Sequence, residues 1–396
     1  MLLLLIVMRI RRRRWLCLCT SMGGFYNIFL YILLTIYREL SVKILQIEEA
    51  PDSSCRFSEI YSVETSMKPM TLAGDILALS DEVSQSAIWN WRDGSCASLK
   101  HSADDPTVAQ VCPTGSRPVP LCLLLTQYNN CLQIIFVHDS VLVVRARSIH
   151  LFPYPRLRVW DPDTWPPEPY DAIAYHSFGW VDGVSVNICP HLGAPYVSSS
   201  SSSSSIAWQP LSILVRGESD DPWASDAHNL ELYTLEVNAT YRPTEETSTS
   251  VGGPGTSVPY LFPPRLAHYV RCLRGSLRCT QIVLGRYGTA VWIQPQERFV
   301  AGLVADFPTQ WDRRGGTHEC LRVAVFPGSL NPTRPAEGGE TNREAYSTSQ
   351  HNRSREIKSE IIFFNEANNW TAFDYDEVRG RIALGSSFGR VTILEL

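Results

Sequence analysis

Short apolar runs recur from Leu40 to the end of the chain, and turn residues separate them. Examples are "GDILALS" (74–80), "SVLVVRA" (140–146), "TAVWIQP" (289–295) and "RVTILEL" (390–396). Runs of this length, rich in Val, Ile, Leu and aromatic residues, are typical of β-strands. The 3.6-residue period of an amphipathic helix is almost absent. The pattern therefore predicts an all-β fold.

The runs follow one another in a repeated order: a strand, a polar turn, and a second strand that ends in an aromatic residue. This order occurs in "GDILALSDEVSQSAIWNWRDGSCASL" (74–99), "CLQIIFVHDSVLVVRARSIHLFP" (131–153) and "CTQIVLGRYGTAVWIQP" (279–295). Repeated antiparallel meanders indicate the blades of a propeller. About 20 candidate strands, at about four per blade, predict a β-propeller-like domain of divergent, WD-repeat-like blades over residues 41–396. These strands make about five blades, and more if divergent strands escape the count.

Three polar stretches interrupt the strands. Residues 198–205 are an unbroken run of serines, and the stretches near 242–259 and 327–356 are rich in Gly, Pro, Ser and Thr. Such segments cannot bury enough apolar surface to offset the entropy of ordering them. Because strands resume on both sides of each stretch, we expect disordered insertions within blades rather than linkers between domains.

Residues 1–40 form an atypical hydrophobic and basic segment. Arg11–Arg14 precede Trp15–Tyr37, an uncharged stretch that is long enough to span a bilayer as a helix. The arginines would keep the N-terminal flank in the cytoplasm. Two glycines and an asparagine weaken the stretch, and the rest of the chain has the composition of a soluble protein. A buried or non-native segment is therefore favoured, with a membrane anchor as the alternative.

Composition narrows the classes of function. The net charge of -5 argues against a nucleic-acid-binding protein. The 11 cysteines are odd in number and form no C-x-x-C pair, so they favour free thiols in the cytoplasm or nucleus over a zinc or redox site. Phosphate-binding, dinucleotide-binding and metalloprotease motifs are absent from the sequence. We expect no cofactor and no metal.

The sequence Gly385-Ser-Ser-Phe-Gly389 fits the G-x-S-x-G pattern of a serine hydrolase. A hydrolase needs a strand before this elbow, a helix after it, and then an acid and a histidine. Only "RVTILEL" follows, which contains no histidine and resembles a strand. We therefore expect a β-hairpin and a protein that is not an enzyme, with a propeller-fold hydrolase as a remaining alternative.

Four residues are candidates for a protein-binding surface. Trp89 and Trp91 alternate with Asn90 and would share one face of a strand, either as packing between blades or as a binding hot spot. Arg145 and Arg147 alternate with apolar residues. They would either reach an acidic ligand or extend from a strand edge into water. His138-Asp139 lies at a predicted hairpin tip, where a solvated turn is favoured over a catalytic dyad.

Long stretches of the chain also resemble a known family. They are "MTLAGDILALSDEVSQSAIWNWRDGSCASLKHS" (70–102), the stretch 131–153 quoted above, and "FDYDEVRGRIALGSSFGRVTILEL" (373–396). Over residues 39–396 the chain resembles the C-terminal region of F-box proteins of mushroom-forming fungi. In that family an N-terminal F-box precedes a divergent, propeller-like region.

The resemblance implies a role in substrate recognition. The family's F-box docks the Skp-type adaptor of a cullin ubiquitin ligase, and its propeller presents a substrate. An F-box begins like "LPxELxxxI", whereas the first 40 residues here contain no proline. We therefore expect a non-enzymatic interaction scaffold, and a Skp-type partner only where an F-box lies upstream. A single-pass, membrane-anchored propeller is the alternative.

Overall fold

The chain consists of strands throughout the part that the structure describes. The structure is a computed structural model. It describes residues 2–10, 13–20, 40–49, 55–81, 85–100, 129–159, 169–188, 208–217, 227–241, 258–273, 279–295, 318–327 and 355–396. All 25 regular elements in these segments are β-strands, which confirms the all-β prediction.

The strands of these segments form six sheets, which we call blades I to VI in chain order. Blade I has the spatial order β2-β1-β3-β4 and contains β1 (Leu2–Ile10), β2 (Arg13–Thr20), β3 (Leu40–Glu49) and β4 (Cys55–Thr65). Blade II contains β5 (Lys68–Ala73), β6 (Ile76–Ser80), β7 (Ser86–Asn90) and β8 (Ser95–Leu99), with β12 (Arg158–Val159) at its outer edge. Blade III contains β9 (Cys131–Val137), β10 (Ser140–Arg145), β11 (Ser148–Pro153) and β13 (Ala174–Ser177).

The second half of the chain repeats this arrangement. Blade IV contains β14 (Val181–Ile188), β15 (Leu211–Gly217), β16 (Ala227–Leu235), β17 (Arg265–Leu273) and, parallel to β17, β21 (Arg355–Glu356). Blade V contains β18 (Ile282–Leu284), β19 (Thr289–Gln294), β20 (Glu319–Val325) and β22 (Glu360–Asn365). Blade VI contains β23 (Trp370–Asp376), β24 (Arg381–Ser386) and β25 (Val391–Glu395).

Five hydrophobic clusters lie between consecutive blades, from the contact of blades I and II to that of blades V and VI. Successive side chains of a strand point to opposite faces of its sheet. On β10, Val141 and Val143 therefore pack toward blade II, whereas Leu142 and Val144 pack toward blade IV. Because both faces of a blade are buried, a middle strand such as β10 is an unbroken apolar run instead of an alternating one.

The first strands of blades II to VI lie next to one another in chain order. A polar side chain on or beside each of β5, β9, β14 and β18 bonds to the backbone of the next first strand. The four bonds are Thr71 Oγ1 to the Ile134 carbonyl, Val186 N–H to Gln133 Oε1 (3.1 Å), Leu284 N–H to Ser185 Oγ (2.9 Å) and Phe373 N–H to Gln281 Oε1 (2.9 Å). We call this set the inner-strand bonds. The blades therefore follow one another radially, and the β-propeller-like prediction is confirmed; the described residues form six blades, a number that the sequence left open.

The N-terminal residues that the structure describes are strands rather than a helix. β1 pairs with β2 and with β3, so blade I extends the antiparallel pattern to residues 2–20. Residues 21–37, the remainder of the apolar stretch, lie outside the described residues. Within the described segments, none of the chain forms a helix long and apolar enough to cross a membrane.

The three predicted insertions fall largely outside the described residues. Residues 198–205 lie wholly outside them. The second insertion is described only at its end, where Val258 and Pro259 bond to Asn238. The third is described at Pro327 and at 355–356, which form β21.

The G-x-S-x-G sequence forms a hairpin turn, as its context predicts. β24 ends at Ser386 and β25 begins at Val391. Gly389 donates its N–H to the Ser386 carbonyl at 2.9 Å and has a φ of 74°. Glycine adopts this left-handed conformation without steric cost. A strand follows the turn where a hydrolase elbow requires a helix.

Candidate protein-interaction surface

Two of the four candidate residues are buried, so we remove them from the candidate surface. Trp91 packs between blades I and II, and its Nε1 donates to the Gly74 carbonyl at 3.2 Å. Arg145 is fully buried beside Cys131 on β9. Burial lowers the pKa of the Arg145 guanidinium, against the charges of Cys131 and Asp81, which raise it. Alternation with apolar residues suggested an edge charge at Arg145, but the neighbouring blade covers it.

The other two candidates are half-buried. Trp89 meets the ring of Tyr61 edge-on at 6.0 Å and so contributes to the contact between blades I and II. The guanidinium of Arg147 lies 4.6 Å from the centre of the Trp180 ring, a cation–π contact between two connections of blades III and IV. Of the four candidates, Arg147 is thus the one that lies at an exposed end of the blades, where it contacts the Trp180 ring.

The two ends of the blades are distinguished by the order of their turns. Blades II to V are simple antiparallel meanders, so the first and third turns of each lie at one end, which we call the front face, and the first turn of blade VI lies there too. A contact between the first turns of blades V and VI agrees with this assignment. Glu377, in the first turn of blade VI, accepts hydrogen bonds from the N–H groups of Tyr287 (2.6 Å) and Thr289 (3.0 Å) at the first turn of blade V. Arg147 and Trp180 belong to the opposite, back face.

The front face carries a group of aromatic side chains that the sequence analysis missed. The Trp208 ring lies 4.4 Å from His138, 5.1 Å from Tyr241 and 6.0 Å from Tyr260. Tyr154 lies on the same end of blade III, but its ring contacts Phe136 at 6.2 Å and is outside this group. We call His138, Trp208 and Tyr241 the aromatic patch. All three are partly exposed, whereas Tyr260 is buried beneath them.

The hairpin between β9 and β10 fixes the position of His138. His138 and Asp139 form a two-residue turn in which His138 has a φ of 50°. Positive φ values at this position suit the turns that match the twist of a hairpin. The Nε2 atom of His138 accepts a hydrogen bond from Gln209 N–H at 3.3 Å, so the ring proton is on Nδ1. Burial lowers the pKa of His138, and this is consistent with a neutral ring that accepts the bond.

Hydrogen bonds to backbone carbonyl groups hold the segments that carry the remaining rings. The Tyr260 hydroxyl donates to the Gln209 carbonyl at 3.1 Å. Asn238 donates from Nδ2 to the Val258 carbonyl at 2.8 Å and from its N–H to the Pro259 carbonyl at 2.9 Å. The Tyr260 bond joins the β14–β15 connection to the β16–β17 connection, and the Asn238 bonds bring together the two described ends of the β16–β17 connection. The aromatic patch is therefore built where the chain returns from residues 189–207 and departs into residues 242–257.

The chemistry of the aromatic patch suits binding. Tyr and Trp present large apolar area together with a polar group. Asp139 is exposed at the rim and raises the pKa of Tyr241 by its charge, after the larger effect of burial. Among the described residues there is no group of His, Cys, Asp and Glu side chains that could hold a metal ion. Trp208 and Tyr241 flank polar insertions in the sequence, and this position is the one signal that could have singled them out.

Comparisons with known proteins identify no family. No protein-family model matches the chain, and no curated protein matches it. Among solved structures, the β-propeller domain of Myceliophteria thermophila Cps50 (Swd1) aligns over 91% of this chain and 80% of its own, with 8% identity and a TM-score of 0.41. Kluyveromyces lactis Hsv2 aligns over 90% of this chain and 70% of its own, with 9% identity and a TM-score of 0.36. The propeller-like assignment rests on the order of the sheets and on the inner-strand bonds.

Proposed function

We propose that the protein is a non-enzymatic scaffold that binds another protein through the aromatic patch on its front face. The observation that carries the proposal is the contact of Trp208 with both His138 and Tyr241 at the exposed end of the blades. Trp and Tyr are enriched among the residues that dominate binding energy at interfaces. The rings are held in place by the framework, so little conformational entropy is lost when a partner binds.

The chemistry of the surface also limits the partner. An aromatic surface with the Asp139 carboxylate at its rim fits a partner segment with apolar side chains and a basic residue beside them. The resemblance to fungal F-box proteins extends the proposal. The bound protein is then the substrate of a ubiquitin ligase, and a Skp-type adaptor takes part where an F-box precedes the propeller.

The test compares the proteins captured by four tagged forms of the chain. They are the unaltered protein, Trp208→Ala and Tyr241→Ser in the aromatic patch, and Tyr175→Ala on β13, which removes another exposed aromatic side chain outside the patch. We expect quantitative mass spectrometry to find partners that Trp208→Ala loses and Tyr175→Ala keeps. Tyr241→Ser, a second substitution in the patch, should lose the same partners. Equal capture by all four proteins would reject the proposed surface.

The ligase context has a separate readout in the same experiment. A Skp-type adaptor bound equally by the unaltered protein and by Trp208→Ala supports it, since the F-box contact is independent of the patch. If the full-length protein captures no such adaptor, the ligase context is rejected and the proposed surface is judged on its own partners.

A further inference from the structure

Blade VI has an open edge. Its outermost strand, β25, pairs with β24, and the described residues place no strand on its other side. Each of blades I to V has at least four strands in the same part of the chain, whereas blade VI has three. An unpaired strand presents a row of N–H and C=O groups to which another strand can bind.

The hydrogen bonds to β24 show which backbone groups point outward. The Ser386 N–H donates to the Arg390 carbonyl at 2.9 Å, and the Leu396 N–H donates to the Gly380 carbonyl at 2.7 Å. Hydrogen-bonded positions alternate along an antiparallel strand. The even-numbered residues of β25 therefore bond to β24. The odd-numbered residues Val391, Ile393 and Glu395 direct their N–H and C=O groups toward the open edge.

The same hairpin exposes four large apolar side chains. The exposed fractions are 78% for Phe388, 52% for Val391, 54% for Ile393 and 60% for Leu396. Scattered exposed apolar residues are common on protein surfaces, but a group of them indicates a contact surface. Here the group coincides with the unpaired edge: the outward backbone groups of β25 have no partner among the described residues, and its Val391 and Ile393 side chains are more than half exposed.

The spacing of these four residues is self-complementary. Consider two copies of β25 in antiparallel pairing, with a twofold axis at Thr392. Val391 of each copy then lies opposite Ile393 of the other, and Phe388 lies opposite Leu396. Val391 and Ile393 are the residues with outward backbone groups, so the pairing also forms the hydrogen bonds that the edge requires. Glu395 lies opposite Gly389, and no like charges face each other.

We propose that the protein forms a symmetric homodimer in which β25 pairs with β25 of a second copy in this register. The blade VI sheets of the two copies then join into one continuous sheet. An interface of one strand pair is small, so the dimer dissociates on dilution. The aromatic patch lies on blades III and IV, and the dimer therefore leaves it accessible.

Sedimentation velocity tests the proposal on the intact chain. We expect the unaltered protein to shift from monomer to dimer as its concentration rises. The double variant Val391→Lys, Ile393→Lys places lysines opposite one another across the axis and should remain monomeric, and so should Val391→Glu, Ile393→Glu. An equal mixture of the two should restore the dimer, because each lysine then faces a glutamate. Tyr175→Lys, on the exposed edge strand β13 of blade III, is the control and should dimerise normally.

A cysteine at the axis tests the register. Residues opposite each other in a pair without hydrogen bonds have Cα atoms about 4.5 Å apart, close enough for a disulfide. Thr392→Cys should therefore form a covalent dimer on mild oxidation, whereas Glu395→Cys, distant from its counterpart, and the unaltered protein should not. An unaltered protein that stays monomeric at every concentration overturns the proposal. So does a dimer that survives the lysine substitutions, or equal crosslinking through residues 392 and 395.

Discussion

Arg216 on β15 donates from Nε to Oδ1 of Asp182 at 2.6 Å, and their side chains are 5% and 31% exposed. The same guanidinium donates from Nη2 to the Thr280 carbonyl at 2.8 Å. Arg216 and Asp182 both belong to blade IV, whereas Thr280 lies just before β18 of blade V. The ion pair is therefore internal to blade IV, and the bond from Arg216 to Thr280 links the two blades beside the apolar cluster between them.

The burial of Arg216 predicts a large effect of its removal. Arg216→Ala leaves the Asp182 carboxylate partly buried without its partner, and we expect a loss of about 3 kcal/mol in the free energy of unfolding, measured with urea. Arg92→Ala is the matched control. Arg92 forms a pair of the same length with Asp75, but the side chains are 61% and 44% exposed, so its removal should cost less than about 1 kcal/mol. Equal costs for the two variants would contradict this account.

Blades IV and V lie so close together at Gly183 that a larger residue would clash there. A Cβ atom at Gly183 would lie 2.9 Å from the Thr280 carbonyl oxygen and 3.2 Å from Arg216 Nη2. We expect Gly183→Ala to lower the free energy of unfolding by about 1–3 kcal/mol, because the backbone of blade V must move. A Cβ at Gly217 meets only the Trp180 carbonyl oxygen at 3.9 Å, so Gly217→Ala should be nearly neutral. The opposite ranking in thermal unfolding would show that the blades are not this close.

Glu377 should control the first turn of blade V. Its carboxylate accepts the N–H groups of Tyr287 and Thr289 and fills the space beside Gly285. Glu377→Ala leaves these two donors without their acceptor, and we expect a loss of about 2 kcal/mol in the free energy of unfolding. Hydrogen exchange at Tyr287 and Thr289 should accelerate, while exchange within β10 should change only with global stability. Unchanged exchange at both amides would rule out the contact.

Asp374 should make stability depend on pH. Burial raises its pKa to about 7, with a smaller contribution from the charge of Asp376 and against a backbone hydrogen bond from Tyr375. In the unfolded chain an aspartate has a pKa of about 3.9. Between these values the folded protein holds a proton that the unfolded chain has lost, so stability falls as pH rises from about 4 to about 7 and then levels off.

The substitution Asp374→Asn isolates this effect. The amide stays neutral, so the variant should gain stability relative to the unaltered protein at pH 8 and lose that advantage near pH 4. Urea unfolding at several pH values measures the difference. A difference between the two proteins that is constant with pH would mean that Asp374 ionises normally in the fold.

The sequence predicted those parts of the fold that depend on local pattern. The apolar run around Leu142 and the turn at Gly389 each carry their own signal, and both were placed correctly. The number of blades did not follow from pattern, because it depends on how the strands pair. The six sheets hold three, four or five strands, and two-residue strands such as β12 and β21 join blades II and IV only through pairing. The strands at residues 2–20 were likewise concealed by an apolar composition that suits a helix equally well.

The candidate site was less predictable than the fold. Arg145 looks like an exposed charge because local alternation does not show which neighbouring blade covers it. Trp208 and Tyr241 are far apart in the sequence and lie beside polar insertions, so no local pattern connects them. They meet because two connections of blade IV carry Trp208 and Tyr241 to the same end of the blades as the β9–β10 turn, which holds His138. Contacts between blades therefore determine which side chains are exposed at this site, and a single sequence does not show those contacts.

The radial order of the blades is the central claim, and hydrogen exchange at three amides tests it most directly. The N–H groups of Val186, Leu284 and Phe373 lie on first strands and donate to side chains of the preceding blade. All three should be protected in the unaltered protein. The variants Gln133→Leu, Ser185→Ala and Gln281→Leu should each accelerate exchange at the one amide that its side chain accepts, in the next blade. Rapid exchange at these amides in the unaltered protein, or substitutions that leave them unchanged, would contradict the radial arrangement.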